Sequence, residues 1–227
     1  MYRKLAKYYD IMFNNKDYAN ESKHLCDIIG IKRETLLDVG CGTGGHLVHL
    51  RQHYRCKGED VSSDLIEIAK GKGLDVSLSD MCGRVVDDEK YDAIICMHAT
   101  IAYAWDLHIA ITNMVQRLSD GGVVIIEPWY SREQATVGRY DVSVRRDAGV
   151  EVIRISKGEI EGDRHVRSFK YFVNDANGAV SHSDIHSMEL FDKDKMWRIM
   201  NNAGLSMAYQ KPSHLFSRGL MVGFKHN

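Results

Sequence analysis

The sequence predicts an α/β fold: a doubly wound, mostly parallel seven-stranded sheet carrying an inserted antiparallel β segment. Three features point there. Up to Glu127, apolar strand-like runs alternate with amphipathic helical stretches. A glycine-rich turn, Gly40-Cys41-Gly42-Thr43-Gly44-Gly45, joins the first of those runs to a helix. From Tyr130 to Phe191 the helical rhythm gives way to long alternating segments. The expectation is one domain over 1–227, with 130–191 as a substrate-side subdomain inside it.

Taken in order, Tyr2 to Asn15 is aromatic and mixed, with Tyr2, Tyr8, Tyr9 and Phe13 set among lysines and asparagines. Two readings stand. The rings pack the following helix against the core, or they form a lid in which Tyr9 and Tyr18 present hydroxyls to a ligand. Asp17 is placed to cap a helix through Ile29. Leu36-Leu37-Asp38-Val39 reads as a buried strand running into the glycine turn, with a helix from about His46. Cys56 to Asp60 is a second strand ending in acids, Ser62 caps a helix over Asp64 to Lys70, and a strand over Leu74 to Leu78 leads to Asp80-Met81.

Tyr91 to Met97 is nearly all apolar from Ala93 onward, as suits the middle of a parallel sheet covered on both faces. It delivers Met97-His98-Ala99-Thr100 to the edge that carries Asp38 and Asp60, where ligands of open parallel sheets bind. A loop with Tyr103 and Trp105 precedes a helix over His108 to Leu118, closed by Ser119-Asp120-Gly121-Gly122, and Gly122 to Glu127 is a fifth strand. Ser143 to Lys157, Arg164 to Asn174 and Val180 to Leu190 are antiparallel strands with a turn at 174–178, placed to wall a pocket or join two subunits. Asp192 caps a helix over Lys193 to Ala203, and Leu205 to Gln210 pairs with Gly219 to Phe224 as a closing hairpin.

Composition narrows the function. A net charge of -1, from 30 basic and 31 acidic residues, supplies no field for nucleic acid or an anionic membrane. The five cysteines fall singly, without the spacing of a zinc ribbon or disulfide scaffold, so a reducing compartment is expected. With no signal peptide or spanning apolar run in view, the expected location is cytoplasmic. His182 and His186 share a strand face but lack a third ligand, so no metal is expected.

The glycine turn names a cradle before it names a cofactor. Gly40, Gly42 and Gly45 satisfy the dinucleotide pattern, with Glu59 or Asp60 as the acid that follows. Asp38 separates the candidates, because a carboxylate facing the turn repels a pyrophosphate and suits the ammonium and sulfonium of S-adenosylmethionine. Asp60 is the choice for accepting hydrogen bonds from ribose hydroxyls, and Asp80 for accepting from an adenine amino group. A nicotinamide-dependent oxidoreductase and a cofactor-binding module without turnover remain rival readings at this point.

Asp38-Val39-Gly40-Cys41-Gly42-Thr43-Gly44, Gly58-Glu59-Asp60-Val61-Ser62, Asp80-Met81 and the final helix and hairpin together resemble class I S-adenosylmethionine methyltransferases over nearly the whole chain. Lys16-Asp17-Tyr18, Glu127-Pro128-Trp129, Ile185 to Phe191 and Ser217-Arg218-Gly219-Leu220 further resemble the N,N-dimethyltransferases of nucleotide-linked 3-amino deoxysugars. The resemblance implies a methyl donor held by Gly40, Gly42 and Gly44, its ribose on Asp60 and its adenine near Asp80 and Met81; Tyr18, Asp38, Val61 and Met97 are the further cofactor-binding candidates. It implies an amino-sugar pocket near Tyr9, Glu127, Trp129 and His186, with Arg218 on the diphosphate.

The acceptor is then a small molecule whose neutral amine attacks a sulfonium methyl in line, so alignment and desolvation supply much of the acceleration. Tyr9, His98, Tyr103 and Glu127 form the acceptor-side set that could hold the departing proton. The sequence departs from the family at Ile101-Ala102-Tyr103-Ala104, where the pattern is Ile-Gly-His-Leu. The alternative within methyltransferases is an oxygen acceptor or another small amine. A homodimer is the expected assembly.

Overall fold

A computed structural model describes residues 3–85 and 88–226. The chain divides into two compact units: Asp17–Trp129 with Phe191–Asn227, and Met1–Lys16 with Tyr130–Leu190.

The larger unit holds strands β1 (Thr35–Val39), β2 (Arg55–Asp60), β3 (Val76–Leu78), β4 (Tyr91–Cys96) and β5 (Leu118–Ile126). After the smaller unit's β6 (Tyr140–Asp147), β7 (Val150–Glu161), β8 (Arg164–Asp175) and β9 (Gly178–Glu189), it adds β10 (Leu205–Gln210) and β11 (Leu220–Lys225). Its seven strands lie in the order β10-β11-β5-β4-β1-β2-β3. All pairs are parallel except those made by β11. The sheet is buried on both faces, so β4 sends Ala93 and Ile95 into one apolar cluster and Ile94 and Cys96 into the other. The chain order reverses where β1 neighbours β4, and a ligand crevice is expected beyond the carboxyl ends of strands at such a point.

Helix α1 (Tyr9–Met12) belongs to the smaller unit; α2 (Tyr18–Ile29), α3 (Leu47–Leu50), α4 (Ser63–Gly71), α5 (Leu107–Gln116) and α6 (Lys193–Asn202) belong to the larger. The expected caps form: Asp17 accepts from the Asn20 amide, Ser62 from Leu65 and Asp192 from Lys195. The boundary after α5 differs from expectation. Helix α5 stops at Gln116 and β5 already begins at Leu118, so Ser119-Asp120-Gly121-Gly122 loops out within the bounds of β5 and is not a helix cap. The register moves from Tyr91 opposite Leu118 to Ala93 opposite Val123, and this loop of extra residues absorbs the shift.

The smaller unit is a four-stranded antiparallel sheet in the order β6-β7-β8-β9. The segment expected as one strand over Ser143 to Lys157 is two, because Ala148 (φ 45°) and Gly149 (φ 80°) are both left-handed and close a two-residue hairpin between Asp147 and Val150. Of the N-terminal rings, Tyr8 packs with Leu5 and Met12 on Val152, Tyr171 and Val173 of this sheet, and its hydroxyl donates to Asp175 at 2.6 Å. Tyr2 lies outside the described residues. Among the described residues, no helix is long and apolar enough to cross a membrane.

Candidate active site

At the end of β1 the chain must turn sharply and leave room. Gly40 has φ 75°, and a Cβ there would lie 2.0 Å from Thr100 Cγ2, so both backbone and packing demand glycine. The Gly40 and Cys41 amides donate to the Glu59 carbonyl at 2.7 and 2.9 Å, which fastens the turn to β2. Past the turn, Gly42 and Gly44 carry φ values of 56° and 81° before the chain enters α3.

Three acids lie at or beside this turn, each with different partners. Asp38 is 2% exposed, and burial, reinforced by Asp60 and opposed by His46, pushes its pKa up to about 6. No hydrogen bond from a described residue contributes to that balance. Asp60 accepts from the Gly42 amide through Oδ2 and from the Ser62 amide through Oδ1, both at 2.9 Å. Burial still raises its pKa against those bonds. Glu59, the other acid considered from sequence, is buried in an ion pair with Arg117 at 2.8 Å. Asp60 therefore addresses the turn, while Glu59 is satisfied within the protein.

This arrangement fits a cationic ligand end. A buried carboxylate without a hydrogen-bond donor is costly unless a cation reaches it, and S-adenosylmethionine brings an ammonium. Elsewhere on this side, Asp80 takes the Cys82 amide on Oδ1 at 2.9 Å and the Trp105 indole on Oδ2 at 3.3 Å. Met81 is half-buried, Met97 is buried and Val61 is exposed. The Tyr18 ring stands edge-on to His46, with centroids 5.0 Å apart.

Beyond β4 the backbone is strained: His98 (φ 53°) and Ala99 (φ 60°) are consecutive left-handed residues without being glycine. Glu127, 2% exposed, holds that turn by accepting the His98 amide on Oε2 at 2.8 Å, while its own amide donates to the Cys96 carbonyl. Its Oε1 takes Arg218 Nη2 at 2.5 Å, and the Arg218 guanidinium lies 5.6 Å from the centre of the Trp129 ring. Tyr103 is half-buried at the end of a 3-10 turn over Thr100–Tyr103.

Sequence reasoning gave Glu127 and Arg218 separate tasks; the structure makes them a buried ion pair beside Trp129. His98, Glu127, Trp129 and Arg218 are thus drawn together in the larger unit. Tyr9 and His186 lie in the smaller one. There Tyr9 packs on Phe13 at 4.8 Å, and His186, 2% exposed, hydrogen-bonds Asp184 at 3.2 Å with its pKa lowered chiefly by burial. Two features at the turn escaped the sequence: the buried Glu21–His46 pair and the reach of Trp105 to Asp80. A weak signal existed for the first, since Asp17 as cap places Tyr18, Glu21 and Ser22 on one helix face.

Residues 36–122 match the family model described as a methyltransferase domain. The chain is 31% identical to a dTDP-3-amino-3,4,6-trideoxy-alpha-D-glucopyranose N,N-dimethyltransferase of Streptomyces venezuelae, over 96% of this chain and 96% of the relative. Its structure is similar to that of Streptomyces venezuelae DesVI, with a TM-score of 0.90 at 29% identity, covering 97% of this chain and 98% of that one. It is also similar to S-adenosylmethionine-bound CalS10, an amino pentose methyltransferase from Micromonospora echinaspora involved in calicheamicin biosynthesis, with a TM-score of 0.82 at 25% identity over 93% of each chain.

Proposed function

We propose a nucleotide-linked amino deoxysugar as the acceptor of this chain, which belongs to the family of S-adenosylmethionine-dependent methyltransferases. The observation that carries this acceptor class is the extent of the likeness: it covers 96% of both chains, and so takes in the smaller unit as well as the methyltransferase domain. Family membership sets aside the nicotinamide reading, as Asp38 already suggested.

When bound, the donor supplies an electrophilic sulfonium methyl. The chain's part is to hold, align and keep water out. In this reading Asp38 receives the ammonium, Asp60 the ribose hydroxyls, and Asp80 with Met81 the adenine, while Tyr18, Val61, Met97 and the bare backbone of Gly40, Gly42 and Gly44 line the rest of the donor. On the acceptor side, Tyr9, His98, Tyr103 and Glu127 stand as the proton-handling candidates and Trp129, His186 and Arg218 as acceptor contacts. Glu127 accepts the His98 amide on one oxygen and Arg218 on the other, so in this reading it positions both groups while its remaining lone pairs keep it in the acceptor-side set. A diphosphate contact by Arg218 uses other N–H groups of a guanidinium that offers five.

The test is incubation with S-adenosylmethionine and a panel of thymidine-diphosphate 3-amino and 4-amino sugars, read by mass spectrometry. Gain of one or two methyl masses with matching S-adenosylhomocysteine is the expected result. Turnover on other small amines or hydroxyls, with none on the sugars, would replace the acceptor class.

Two further proposals concern setting. All five cysteines are unpaired, which supports a reducing, cytoplasmic location. A homodimer through the sheet face carrying exposed Tyr140, Val142, Phe172 and Ile185 would place apolar surface away from water; light scattering that gives a monomer at every concentration would remove it.

A further inference from the structure

We propose that Glu21 and His46 are a positioning pair that fits the glycine turn and Asp38 to the amino-acid end of the methyl donor. The inference rests on the donor assignment above and adds two residues to it.

The first turn of α2 grips the start of α3 at three points. Glu21 Oε2 lies 2.8 Å from His46 Nε2, Ser22 Oγ donates to the His46 carbonyl at 3.4 Å, and the Tyr18 ring stands edge-on to the imidazole at 83°. The same ring presses on Gly45, where a Cβ would lie 2.6 Å from it, so no larger residue fits beneath Tyr18. Tyr18, Glu21 and Ser22 can act together because a helix brings positions three and four apart to one face, and the Asp17 cap fixes where that face begins.

Burying an acid and an imidazole seldom adds net stability, because desolvation offsets their attraction. Both are nonetheless buried, with Glu21 4% and His46 5% exposed. What the pair supplies is a fixed placement of the residues that follow the glycine turn. His46 is also the group that opposes the effect of burial on Asp38, a carboxylate with no hydrogen-bond donor among the described residues. Glu21 in turn orients the imidazole through its contact with Nε2. The part of the ligand that would sense this is the ammonium-bearing chain and not the nucleoside.

The experiment compares calorimetric affinities of S-adenosylhomocysteine and 5′-methylthioadenosine, which keeps the nucleoside and sulfur but lacks the amino-acid chain. Wild type, Glu21→Gln and His46→Asn are measured. In both variants S-adenosylhomocysteine is expected to weaken about tenfold, while methylthioadenosine stays within about twofold. The ratio of the two affinities does not depend on the fraction of folded protein, so a poorly folded variant still reports. Equal weakening of both ligands would make the pair a plain scaffold and overturn the proposal, as would no change in either. Failure of wild type to bind S-adenosylhomocysteine would instead overturn the donor assignment on which the proposal stands.

Discussion

Asp38 at the end of β1 and Glu127 just after β5 are equally buried at 2% exposure, yet no described hydrogen bond supports Asp38, whereas Glu127 has one oxygen on the His98 amide and the other on Arg218. On the proposed reading, the difference separates a carboxylate kept for a ligand from one that holds its own neighbours in place. Where protein donors occupy both oxygens, the group holds a strained turn and a neighbouring cation in place. Where they leave it bare, the protein accepts an electrostatic cost that a cationic ligand can relieve. On the proposed reading the donor completes the surroundings of Asp38, whereas the protein itself ties together the edge beyond β4.

Breaking the scaffold carboxylate should cost most. Arg218→Ala leaves Glu127 buried without its cation, and the expected loss is about 3–5 kcal/mol of folding stability in urea titration. Donor affinity of the fraction that folds should hold, because Arg218 does not meet the glycine turn. A loss below about 1 kcal/mol, the size of an exposed pair, would erase the contrast with Asp38.

Removing the ligand carboxylate should do the reverse to the fold. A pKa raised from 3.8 to about 6 means the folded state binds the Asp38 proton more tightly than the unfolded chain. Between those values stability falls as pH rises, and by neutral pH the penalty is on the order of 3 kcal/mol. Asp38→Asn should therefore raise the melting temperature of the ligand-free protein at neutral pH. It should also weaken S-adenosylhomocysteine by about 1.5–3 kcal/mol. In wild type, affinity should drop as pH falls through about 6, where Asp38 gains its proton, and the variant should lack that acid limb. A variant less stable than wild type would mean that Asp38 has a partner in the fold after all.

How much of this the sequence revealed follows from range. The glycine turn, the Asp17 and Ser62 caps and the seven-stranded alternation are local patterns, and all were legible. The choice of Asp60 over Glu59 also came from a local clue, Ser62 as cap, and Glu59 proves to be paired with Arg117. The hairpin at Ala148-Gly149 was missed although Asp147 and Gly149 are turn-forming residues, because the alternation continues across a two-residue turn. The Ser119 to Gly122 loop was missed for a related reason: glycines that end a helix and glycines that absorb a register shift look the same in one dimension. Glu21–His46 and Glu127–Arg218 join residues 25 and 91 positions apart, and no periodicity encodes such partners.

Asp60 stands between the two extremes and gives the smallest and sharpest test. It has two backbone amides, yet each carboxylate oxygen keeps capacity for a further donor, so it can serve scaffold and ligand together. If it takes the ribose hydroxyls, Asp60→Ala should weaken S-adenosylhomocysteine by about 1–3 kcal/mol and methylthioadenosine by the same amount, since both carry the nucleoside. Asp38→Asn should weaken the first and spare the second. Equal responses of the two ligands in both variants would show that neither carboxylate has a separate address on the donor, and unchanged affinity in Asp60→Ala would take the ribose away from β2.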